Sequence, residues 1–105
     1  MRQVTVDALE DMDLLKPDGG KVGDIEAVAE SNADKKQVVV VERGGFLGFF
    51  AKQVAVPLEN VAFRNNKLTL RDLDAARLES MPEFKNENGA YRDLDDAQQV
   101  SISVQ

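Results

Sequence analysis

The chain has 105 residues, 43% hydrophobic and 30% charged, and thirteen basic against nineteen acidic side chains give a formal net charge of −6. That length supports one domain around one core, and the acidic balance disfavours direct nucleic-acid binding, which needs clustered Lys and Arg to displace counterions from phosphates. Cysteine and histidine are both absent, which removes disulfides, thiolate metal sites and most nucleophile–base designs for hydrolysis, and no cofactor or metal is expected.

The N-terminal residues Met-Arg-Gln-Val-Thr-Val-Asp lack the apolar stretch of a signal peptide. The longest apolar run, residues 37–41 and then 46–51, is broken by Glu42, Arg43 and two glycines, far short of the ~20 residues of a membrane span. A soluble, cytoplasmic chain is the expectation. Two-residue alternation and turn chemistry dominate the first seventy residues, and six short strands are predicted there. Val4 and Val6 alternate at the start. Residues 12–15 lead into Lys16-Pro17-Asp18-Gly19-Gly20, where proline pre-sets φ, aspartate bonds its own backbone and glycine supplies positive φ, so a hairpin is predicted.

Val22, Ile25 and Val28 recur every three residues, as in a helical stripe or in a strand with a bulge near Gly23; the flanking turns favour the strand. Residues 37–41, Gln-Val-Val-Val-Val, read as a central strand buried on both faces. Val54, Val56 and Leu58 alternate with Gln53, Ala55 and Pro57, and the proline belongs at an edge or a strand end. Val61 and Phe63, then Leu68 and Leu70, flank Arg64-Asn65-Asn66-Lys67, a second hairpin. Asp74 is placed to cap a short helix over residues 75–80, stopped by Pro82, with Leu78 and Met81 facing inward. Asn86, Asn88 and Gly89 form a loop, and Val100, Ile102 and Val104 alternate with serines in a last strand. The echo of Arg71-Asp72-Leu73-Asp74 in Arg92-Asp93-Leu94-Asp95 hints at a second short helical turn.

Three of these segments, in order, resemble the PRC-barrel family: residues 16–28, Lys-Pro-Asp-Gly-Gly-Lys-Val-Gly-Asp-Ile-Glu-Ala-Val; Gly44-Gly45-Phe46-Leu47-Gly48 followed by Val54-Ala55-Val56-Pro57-Leu58; and residues 78–84, ending Met-Pro-Glu-Phe. The resemblance implies a small six-stranded antiparallel β-barrel over residues 9–84, with a short C-terminal helix. Residues 1–8 would be an N-terminal extension, and residues 85–105 a C-terminal extension carrying an extra strand. Relatives of this kind include the cytoplasmic domain of the photosynthetic reaction-centre H subunit and a ribosome-maturation factor, and they act as assembly or docking modules. The resemblance therefore implies a non-catalytic protein-interaction module, with a ribosomal-protein adaptor and a reaction-centre or membrane-complex accessory as the alternative roles.

Candidate chemistry is sparse. The carboxylate pairs Asp11/Asp13 and Asp72/Asp74 are spaced for acid/base work, but a solvated strand or helix start explains both. Asp93, Asp95 and Asp96 lack the glycine and the closing glutamate of a calcium loop. Phe46, Leu47, Phe49 and Phe50, in a glycine-rich segment, form the candidate partner-binding site, with a plug at one end of the barrel as the bland reading. Val4, Val6, Val100, Ile102 and Val104 need partner edges, and these terminal strands are expected to pair with each other or with a second copy in a homodimer.

Overall fold

Turn chemistry decides which strands meet. In the computed structural model, which describes residues 1–44 and 51–105, the first turn closes as its residues dictate: Lys16 N–H donates to the Gly20 carbonyl at 2.7 Å, Gly20 N–H donates to Asp18 Oδ1 at 2.8 Å, and Gly19 adopts φ 94°. It joins β2 (Asp13–Leu15) to β3 (Lys21–Ser31). The strand reading of β3 holds, and its register slips twice: against β2 between Leu14 and Leu15, and against β4 (Gln37–Arg43) between Ile25 and Ala27. The slips reconcile a three-residue apolar spacing with a two-residue pleat, because each bulge lets one extra residue pass without turning the strand's buried face outward. The second hairpin, β6 (Val61–Arg64) and β7 (Lys67–Leu70), turns on Asn65 and Asn66 at φ 53° and 63°.

The sheet runs in the order β1-β9-β6-β7-β2-β3-β4-β5, with β8 (Tyr91–Asp93) paired to the far half of β3. Here β1 is Arg2–Thr5, β5 is Lys52–Pro57 and β9 is Gln99–Val104. Nine strands are thus present among the described residues, where a six-stranded barrel with one extra C-terminal strand was expected. The sheet is mixed rather than antiparallel, since β2 runs parallel to β7 and β6 parallel to β9. Among the described residues no ladder joins β5 to β1, so the sheet is open. The reason lies in the connections: after β7 the chain travels through α2 (Ala75–Ser80) and β8 before β9 enters the slot between β1 and β6. A crossover of that length permits a parallel neighbour where a tight hairpin does not.

The sheet wraps one aliphatic core. Val39, Val41, Val54, Val56, Phe63 and Ile102 all point into it, joined by Leu9 from α1 (Val6–Glu10) and Leu78 from α2. Val38 and Val40 are buried on the opposite face, as a run buried on both sides requires. Three local expectations are corrected. Val6 opens α1 rather than extending β1, because Thr5 Oγ1 accepts from Ala8 N–H and starts a helix too short to show its period. Asp74 is the N-cap of α2 but makes no side-chain cap bond; its carbonyl accepts from Arg77 N–H instead. The second helical turn hinted at in residues 92–97 is a strand end followed by a turn.

Candidate interaction surfaces

Strand β4 ends at Arg43 and β5 begins at Lys52, and the two face each other in register. In the sequence Phe46, Leu47, Phe49 and Phe50 stand between these stems and lie outside the described residues. The stems themselves are fixed. Arg43 donates from Nε to the Val22 carbonyl at 3.3 Å and from one terminal nitrogen to the Ala75 carbonyl at 3.4 Å, while its other nitrogen stands 3.5 Å from the Glu79 carboxylate. Lys52 Nζ donates to the Glu79 carbonyl at 3.1 Å, an acceptor left open by the end of α2. Two cations that would repel each other across the ladder are both satisfied by one helix, and Leu78 of that helix is fully buried.

The terminal strands meet within the chain. Val4 faces Val100 and Arg2 faces Ile102 across β1 and β9; Val4, Val6, Val100 and Ile102 are buried, while Val104 stands 58% exposed. Because β9 also pairs with β6, both of its edges are occupied by this chain's own strands. The outer edge of β1 is the end of the sheet order.

Carboxylates gather in ways the sequence hides. Asp13 and Asp24 are register partners, and Lys21 bridges them at 3.5 and 2.9 Å. That ammonium holds the Asp24 carboxyl below its ordinary range. Glu26 lies beside Glu42 on the next strand and shares a hydrogen bond with it, which raises the Glu26 carboxyl. Asp96 leaves its neighbours Asp93 and Asp95 to join Asp7 and Glu10, with carboxylate oxygens within 4.8 Å of one another. Desolvation first, and then the bond to Asp96, raises Glu10. Asp72 pairs with its neighbour Arg71 at 3.6 Å and, with Asp74, lines an open cavity of about 550 Å³ that also carries Lys16 and Arg77. Asp11 is exposed beyond the end of α1 and adds its charge to the Glu10 group.

A second concavity, about 270 Å³, separates the turn after β2 from the tip of the β6–β7 hairpin and is lined by Lys16, Asp18, Arg64, Asn65, Lys67 and Thr69, among others. Sequence reasoning passed over it. Its signal was present in Arg64-Asn65-Asn66-Lys67, where two like charges flank a two-residue turn and must therefore stand opposite one another.

These surfaces belong to one class of protein: a small mainly β domain whose mixed sheet encloses a single aliphatic core and whose short helix latches two strand ends. Residues 1–77 match the PRC-barrel domain, and the chain belongs to that family. Comparison with curated proteins finds no matching sequence. Family membership suggests a protein-interaction module. Beyond residue 77 the chain adds β8 and β9; Leu94, just after β8, and Val100 and Ile102 of β9 join the same core. Among the described residues no helix is long and apolar enough to cross a membrane.

Proposed function

We propose that this chain is a non-catalytic docking module whose partner contact centres on Phe46, Leu47, Phe49 and Phe50. The observation that carries the reading is the pair of stems: Arg43 and Lys52, which bracket these residues in the sequence, are both tied to α2, whose Leu78 is locked into the core. A segment with three of the chain's five phenylalanines between two anchored stems has the composition of an interface centre, where aromatic side chains supply most of the energy. The family supports the same reading, since its members are generally non-catalytic modules. For a second copy, the outer side of β1, at one end of the open sheet, offers a strand edge.

The test compares the intact chain with a Phe46→Ser, Phe49→Ser variant in capture of partners from native extract, with thermal melting and solution mass recorded for both. Loss of a partner with the melting curve unchanged supports the reading, and loss of a dimer with the curve unchanged assigns the same residues to self-association. Unfolding of the variant makes the phenylalanines core residues and refutes the assignment.

A further inference from the structure

Arg64 and Lys67 are register partners at the tip of the β6–β7 hairpin. Their inward neighbours Phe63 and Leu68 are buried, so both cations point to the outer face. Like charges directly opposite one another destabilise a hairpin. Among the described residues neither has a carboxylate partner, in a chain with six more acidic than basic residues. Lys16 completes the cleft from the other side, with Asp18 at 3.9 Å as its sole acidic neighbour there. Arg2 adds a fourth positive charge beside the tip, its guanidinium stacked 4.3 Å over the Phe63 ring and bonded to Asn66 Oδ1 at 3.3 Å.

The walls of this cleft are rigid. Leu15 of β2 pairs with Thr69 of β7, which fixes one turn against the other, and the side chains of Asp18 and Thr69 are each bonded within their own turn or strand. We infer that this cleft receives the carboxylate side chains of an acidic segment on a partner protein. Three cations converge on a space of about 270 Å³, enough for one or two carboxylates and their charge-assisted hydrogen bonds. A long polyanion, such as a nucleic-acid duplex, would have to lie against the chain's surplus of acidic groups as well. The inference rests on the docking-module reading but uses a different surface, so the two fail separately: the Phe46→Ser, Phe49→Ser variant reports on that reading, and only the cleft variant reports on this one.

The experiment titrates the isotopically labelled full chain with an acetylated, amidated tetraglutamate peptide and follows backbone amide shifts. The matched tetraglutamine peptide and inorganic phosphate are run at equal ionic strength. Expected are shifts concentrated at residues 16–19 and 64–69 that weaken as salt rises, and about tenfold weaker binding by Arg64→Gln, Lys67→Gln. That double variant removes an opposed like-charge pair on the exposed face, so its melting temperature should hold or rise, which separates lost binding from lost fold. Equal shifts with tetraglutamine, shifts elsewhere on the surface, or undiminished binding by the variant would each overturn the site. Tighter binding of phosphate than of the peptide would overturn the carboxylate assignment.

Discussion

Gly23 of β3 lies directly against the carbonyl oxygen of Glu42 on β4. A methyl group at position 23 would overlap that oxygen and come within 2.8 Å of Val41 Cγ1. The contact sits between the two register slips of β3, where the strand passes from its β2 partner to β4 alone. Backbone cannot move aside as a flexible side chain can, so Gly23→Ala must push β3 away from β4. The expected loss is about 2–3 kcal/mol, in the range of overpacked cores, read by urea denaturation. A loss below about 0.5 kcal/mol, the level of an ordinary surface change, would mean the two strands separate freely there.

The α2 latch divides into an apolar and a polar part, and these should differ in effect. Leu78 is fully buried, so Leu78→Ala leaves a cavity and should lose about 3 kcal/mol. Arg43→Gln keeps much of the stem's bulk while removing the ion pair and weakening two carbonyl contacts, and a loss of about 1–2 kcal/mol is expected. Glu79 is a surface carboxylate, 73% exposed, and Glu79→Gln should change stability by less than about 1 kcal/mol. Chemical denaturation of the three variants checks the order. If Glu79→Gln proves as costly as Leu78→Ala, the latch is electrostatic and the packing account fails.

How much of this was legible beforehand follows from sequence distance. Both hairpins are local events, written in Asp18-Gly19 and Asn65-Asn66, and α2 is bounded by Asp74 and Pro82. The strands were readable one by one, but the placement of β9 between β1 and β6 depends on contacts nearly the whole chain apart. Alternation in Val100, Ile102 and Val104 shows that a strand exists without showing its neighbours. The same limit hid the charged groupings. Lys16 meets Arg64 and Lys67 through the parallel β2–β7 pairing, and Asp96 meets Asp7 and Glu10 because Asp7 N–H donates to the Asp96 carbonyl at 3.0 Å.

Because β1 has β9 as its sole ladder partner among the described residues, the N-terminal strand should depend on residues beyond the family match. Ile102 is fully buried in the common core. Ile102→Ala should therefore lower stability by about 3 kcal/mol. Native-state hydrogen exchange should show amides of β1 and β9 losing protection together. Protection lost in β9 but kept in β1 would mean that β1 is held by α1 and its own packing rather than by the ladder.

Two groups of carboxylates should give the chain a stability maximum on the mildly acidic side. Glu10 and Glu26 have carboxyls raised above the ordinary 4.5, Glu10 first by desolvation and then by Asp96, and Glu26 first by its hydrogen bond with Glu42. At both sites the native state binds a proton more tightly than the unfolded chain. Their unfavourable contribution is full above the raised native values and fades as pH falls through them towards 4.5. Asp24, held down by Lys21, Glu30 by Arg92 and Asp34 by the Lys36 amide have the opposite sign. Their stabilisation is present above the ordinary values of 3.8 for the aspartates and 4.5 for Glu30, and is lost as pH falls through the depressed native ones. Melting temperature at fixed ionic strength should thus rise as pH falls from neutral towards 4.5 and fall again at lower pH. Glu26→Gln should raise the melting temperature at neutral pH and shrink the rise on acidification, whereas Glu30→Gln should lower it at neutral pH and leave that rise intact. A wild-type curve that declines steadily from neutral pH, with Glu26→Gln parallel to it, would show that crowding of Glu26 and Glu42 carries no weight in folding.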